Sequence, residues 1–115
     1  MGCLFCQVIN KKEPAKIVYE DEAVLAFKDI HPLAPVHILI IPKKHIESII
    51  NITEKDAELV GKIILAAKKI ADDLGISEGG YKLLFRVGRH GGQIVEHIHL
   101  HLIGGARLSE DIHSI

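Results

Sequence analysis

The sequence predicts an α+β fold: an antiparallel five-stranded sheet with one long helix and one or two short ones. Three observations carry this. Residues 97–103 alternate strictly between imidazole and aliphatic side chains, the period of a strand with one packed face. Residues 53–74 place Leu59, Ile63, Ala66, Ile70 and Leu74 at three- and four-residue steps, the stripe of an amphipathic helix. The other apolar runs are short, bounded by turn residues and in hairpin-like order, which favours antiparallel pairing with one covered face.

The elements follow in chain order. Phe5, Val8 and Ile9 have helical spacing and run into Asn10-Lys11-Lys12 ahead of Pro14, so a short first helix is expected. Ile17-Val18-Tyr19 and Val24-Leu25-Ala26-Phe27 flank Glu20-Asp21-Glu22, the pattern of a hairpin. Two prolines stiffen the loop His31-Pro32-Leu33-Ala34-Pro35. The β-branched run His37-Ile38-Leu39-Ile40-Ile41 closes at Pro42 and reads as a buried strand. Thr53, with Asp56 three residues on, is placed to cap the long helix, and Gly75 to end it. Residues 81–87 form a fourth strand, a glycine-rich loop follows, and residues 97–103 form the last. No repeat or linker divides the chain, so residues 1–115 read as a single domain.

Composition narrows the function. A net charge of −1 at pH 7 argues against a general nucleic-acid binder, so a polyanionic ligand must be gripped locally. The apolar runs fall far short of the ~20 residues a bilayer span needs, so no membrane partner is expected and the cytoplasm is the default compartment. Aromatic residues are scarce, whereas histidines number eight. Chemistry is to be sought among the imidazoles.

His97, His99 and His101 fall on one side of the last strand, backed by Ile98, Leu100 and Leu102 on the other. An ordinary polar face would mix Thr, Lys, Glu and Ser; here no other polar type interrupts. Neighbouring same-face residues on a strand lie ~7 Å apart, too far for all three to reach one metal ion readily. The preceding loop carries Gly88, Gly91 and Gly92, whose backbone freedom suits an anion-binding nest, with Arg86, Arg89 and Gln93 as further donors. Neutral imidazole is nucleophilic near pH 7, so a phosphate cradle beside a histidine rail points to displacement at phosphorus through an N–P adduct. Cys3 and Cys6 form C-x-x-C, which admits a redox dithiol or half of a tetrahedral zinc site completed by histidines. His31, His90 and His113 read as surface residues.

His97-Ile98-His99-Leu100-His101-Leu102-Ile103 resembles the signature of the histidine-triad (HIT) family. Ala26-Phe27-Lys28-Asp29-Ile30, Ala34-Pro35-Val36-His37, Ile41-Pro42-Lys43-Lys44-His45-Ile46, Gly91-Gly92-Gln93 and Leu102-Ile103-Gly104-Gly105 extend the similarity to the Hint branch, the histidine-triad nucleotide-binding proteins, over nearly the whole chain. The resemblance implies a homodimer with a continuous sheet and a groove for purine nucleotides such as AMP or GMP derivatives. It implies a hydrolase, a purine nucleoside phosphoramidase that cleaves at the α-phosphorus through a nucleotidyl-histidine. By position, His99 matches the nucleophile, His101 a phosphate contact, and His37 the histidine that orients and tunes the nucleophile. Gly92 and Gln93 match the phosphate cradle, Asp29 the ribose carboxylate, and Phe27 and Ile30 the base pocket. Arg86 stands where the branch usually has Asn, and Ile94 where it often has Ser; both belong to the implied nucleotide site. Bacterial and archaeal relatives imply a structural zinc held by Cys3, Cys6, His45 and His97, with no cofactor needed for catalysis. Two alternatives stay open at this level: a nucleotide-binding adaptor with little turnover, and a dinucleoside polyphosphate hydrolase.

Overall fold

The computed structural model describes residues 2–115. Helix α1 spans Leu4–Ile9, and strands β1 (Ile17–Glu20), β2 (Val24–Lys28) and β3 (Val36–Pro42) follow. Helix α2 covers Ala57–Asp73, and β4 (Lys82–Phe85) and β5 (Leu100–Gly104) complete the chain. The five strands form one antiparallel sheet in the order β1-β2-β3-β5-β4, so the α+β expectation holds.

Local chemistry sets the turns. Asp21 Oδ1 accepts the N–H groups of Ala23 and Val24, each at 2.8 Å, and so closes the β1-β2 hairpin. Thr53 and Asp56 form the expected capping box around a single 3-10 turn at Glu54–Asp56, and the α-helix proper begins one residue later. Gly75 takes a φ of +74°, the left-handed residue that ends the helix.

The sheet is covered on both faces, where the sequence pattern pointed to one. On one face Ile63, Ala66, Ala67, Ile70 and Ala71 of α2 pack on Val24, Ala26, Ile38, Ile40, Leu100 and Leu102. On the other, Phe5 and Val8 of α1 pack on Leu25, Phe27, Leu39 and Ile41. Six residues are too few to display a stripe, so the seat of α1 was not legible from its period. Leu74, counted in the stripe, is exposed because it lies past the last turn that reaches the sheet.

A second correction concerns the last strand. Pairing begins only at Leu100, so His97 and His99 enter as unladdered chain ahead of it. The alternation survives, because Ile98 joins the α2 core while the imidazoles face α1.

Candidate active site

The site lies on the α1 face and runs along the sheet from His37 near the start of β3, past His101 in β5, to His99 just ahead of β5. In the β3-β5 register His37 is opposite Ile103 and His101 opposite Leu39, which makes the two histidines diagonal neighbours on one face. His37 Nε2 and His101 Nδ1 are 2.9 Å apart, and both side chains are buried.

Backbone groups decide where the protons sit. The Leu33 N–H donates to His37 Nδ1 at 3.1 Å, so the neutral His37 ring carries its hydrogen on Nε2 and donates it to His101 Nδ1. His101 must then carry its own hydrogen on Nε2, which is buried and has no partner among the described residues. That N–H is a buried donor available to an acceptor in the cleft. His99 is held the opposite way round: its Nδ1 donates to the His97 carbonyl at 2.8 Å, which leaves Nε2 as a free lone pair. Phe5 packs edge-on to the His99 ring, centroids 5.1 Å apart, and keeps it in place.

Burial holds His37, His99 and His101 below the usual imidazole range. His101 is pushed down to about 4, by burial first and then by His99, His37 and the Arg86 guanidinium. A neutral, nucleophilic His99 beside a neutral, donating His101 is therefore the state at neutral pH.

A mostly apolar cleft of about 530 Å³ opens over these groups. Of the residues expected at a nucleotide site, Phe27, Asp29, Ile30, Arg86, Gly92 and Ile94 line it together with His37, His99 and His101. Phe27 is buried in its floor, whereas Ile30 and Ile94 are 83% and 91% exposed at its mouth. Asp29 accepts the His31 N–H at 2.8 Å through Oδ1, and its Oδ2 lies 3.4 Å from His37 Nε2. Arg86 and Lys28 make no ion pair among the described residues and bring positive charge to the cleft. Sequence reasoning missed Phe5, Val8 and Leu33, which also line the cleft; their signal was only their place beside Cys3, Cys6 and the proline loop.

Three expectations are corrected here. Gln93 does not line the cleft: its Oε1 accepts the Gly88 N–H and its Nε2 donates to the Glu47 and Val95 carbonyls, so it clamps the loop. The N–H groups of Gly91, Gly92 and Gln93 close that same turn through Gly88 and Arg89 carbonyls, which leaves the next ones, at Ile94 and Val95, unbonded among the described residues. His37 contacts His101 and not His99, so any influence on the nucleophile passes through His101. Gly91 is where the loop needs glycine, because a Cβ there would lie 2.3 Å from the Val87 carbonyl oxygen.

The triad histidines divide between two donor clusters, with His99 in neither. Asp29, His37 and His101 converge, but the His37 tautomer fills the space with a hydrogen bond. Cys3, Cys6, His45 and His97 converge differently. His97 Nε2 donates to the Pro42 carbonyl at 2.8 Å, which turns the Nδ1 lone pair toward Cys3 Sγ at 3.4 Å, Cys6 Sγ at 3.7 Å and His45 Nδ1 at 3.1 Å. A carbonyl behind the imidazole and two sulfurs and two nitrogens in front form the donor set of a tetrahedral metal site.

The family model described as "Scavenger mRNA decapping enzyme C-term binding" matches residues 2–112. The chain is 46% identical over 105 residues to the purine nucleoside phosphoramidase of Escherichia coli K12, covering 91% of this chain and 88% of that protein. A solved structure of a HIT family hydrolase from Legionella pneumophila superposes with a TM-score of 0.93 at 50% identity, over 95% of this chain and 97% of the other. The histidine triad nucleotide-binding protein from Candida albicans superposes with a TM-score of 0.82 at 29% identity, over 99% of this chain and 86% of the other.

Proposed function

The chain belongs to the histidine-triad family and is a hydrolase of it, and we propose that it is a purine nucleoside phosphoramidase working through a nucleotidyl-His99 intermediate. The observation that carries this reading is the paired tautomers: a free lone pair on His99 Nε2 beside an unpartnered N–H on His101 Nε2.

The base enters the apolar cleft over Phe27 and between Ile30 and Ile94, and the ribose diol meets Asp29. The α-phosphoryl oxygens take the His101 Nε2–H, the loop N–H groups of Ile94 and Val95, and the charge of Arg86. Preorganised donors of this kind lower a barrier by about 2.7–4 kcal/mol each in related acyl-transfer sites. His99 Nε2 attacks phosphorus, the P–N bond to the amine breaks, and the amine leaves with a proton drawn from solvent, since Ile94 offers no hydroxyl. The positive charge on the substituted His99 ring is met by the His97 carbonyl at Nδ1. Water then cleaves the His99–phosphorus bond and releases the nucleoside monophosphate.

The test is rapid acid-free quenching during turnover of an adenosine 5′-phosphoramidate. A mass increment of one adenylyl group on the peptide bearing His99 is expected, and its absence while amine is released rules out the covalent route.

Zinc at Cys3, Cys6, His45 and His97 is part of the same proposal, in a structural role with all four positions filled by protein. One zinc per chain is expected in purified protein, falling well below one in Cys6→Ser; equal content in both would exclude the cluster. So is the homodimer, for which β4 offers a free sheet edge with Leu83 exposed. Sedimentation at about twice the chain mass of 12.7 kDa is the expected result. No helix among the described residues is long and apolar enough to cross a membrane.

A further inference from the structure

His97 belongs to two assemblies at once. Its Nδ1 faces Cys3, Cys6 and His45, while its backbone carbonyl accepts the Nδ1–H of His99 and so fixes the nucleophile's tautomer. Phe5 makes a second link. It lies on α1 between the two cysteines, is only 5% exposed, and packs edge-on to both His99 and His97, at centroid distances of 5.1 and 6.1 Å. Helix α1 has six residues and cannot stand alone. Its first turn is capped by Cys3 Sγ, which accepts the Cys6 N–H at 3.4 Å. The same four side chains therefore hold α1, and through Phe5 and the His97 carbonyl they hold the two restraints on the His99 ring.

We infer that metal held by Cys3, Cys6, His45 and His97 positions the His99 nucleophile, so that loading the cluster and filling the nucleotide cleft are thermodynamically linked. The linkage half of this rests on the cleft being the nucleotide site proposed above. Without an ion, weak thiol hydrogen bonds between Cys3 Sγ and His97 Nδ1 at 3.4 Å and between Cys6 Sγ and His45 Nδ1 at 3.3 Å stand in place of four metal bonds. The Cys3-Cys6 turn and the His97 backbone then relax, and His99 is free to exchange tautomers. Leu4, Phe5 and Val8 of α1 line the cleft, so a nucleotide that fills it binds the loaded form, with α1 ordered, better, and by reciprocity the metal binds the nucleotide-filled form better by the same factor.

Two measurements on the full chain test this. In the first, zinc-loaded protein competes with a chromophoric chelator, with and without saturating AMP. AMP is expected to tighten zinc binding by about fivefold or more, the lower end of typical couplings. In the second, ring-¹⁵N spectra of histidine-labelled protein are compared between loaded and stripped states. A single Nδ1–H tautomer of His99 is expected in the loaded protein and a mixture in the stripped one. His45→Ala, whose side chain is exposed and whose loss leaves the core intact, is expected to reproduce the stripped spectrum and to lower kcat more than it raises KM. An unchanged His99 tautomer on stripping overturns the inference, as does failure to take up zinc or zinc affinity indifferent to bound AMP. If calorimetry shows no AMP binding to loaded protein, the nucleotide reading of the cleft fails, and the ring spectra still decide whether the cluster positions His99.

Discussion

His99→Ala is expected to lower kcat for an adenosine 5′-phosphoramidate by at least about a thousandfold, as loss of a nucleophile does elsewhere. The substitution removes the attacking lone pair and leaves the phosphate and ribose contacts in place. Asp29, Arg86, the His101 Nε2–H and the loop N–H groups do not depend on the His99 side chain for their own positions. AMP affinity should therefore stay within about an order of magnitude, a change of no more than roughly 1.4 kcal/mol. This split separates the proposed enzyme from an adaptor that only binds, since an adaptor has no turnover to lose. Release of amine by His99→Ala within tenfold of the wild-type rate would sink the assignment of the nucleophile.

Acid should weaken the fold through His101. Its imidazole titrates at about 4 in the folded protein and near 6.5 when unfolded. The depressed value means that the unfolded chain binds the proton more readily, so the stability is full above pH 6.5 and is lost as pH falls toward 4. A separation of about 2.5 units corresponds to roughly 3 kcal/mol at the end of that window. His37 and His99, also held down by burial, act in the same direction. Burial is the largest cause of the His101 shift; His99, His37 and Arg86 add to it by opposing a further positive charge, and Asp29 alone works against it. The measurement is urea unfolding at pH 7, 5.5 and 4.5 of wild type and His101→Gln. The wild type should lose more stability across the range than the variant; parallel losses would show that His101 is not the group responsible.

Much of this protein is legible residue by residue. The Thr53–Asp56 pair and Gly75 mark the ends of the long helix because capping depends on short-range hydrogen bonds. Ile63, Ala66 and Ile70 mark its buried face because the helical period is local too. Gln93 shows where such reading stops. A polar side chain in a glycine loop looks like a ligand donor, yet its amide is used on Gly88, Glu47 and Val95, and Glu47 lies 46 residues away.

By itself the sequence determined the α+β class, the order of the main elements and the alternation that turns three imidazoles to one side, and its family resemblance pointed to Asp29 and His37 as their companions. Periodicity and capping are properties of neighbouring residues, so they can be read without coordinates. Only the tertiary structure decided what each imidazole does. The Leu33 N–H, the His97 carbonyl and the Pro42 carbonyl choose the tautomers of His37, His99 and His97. Those partners are backbone groups, present at every residue, and no choice of side chain announces which of them will face a given ring.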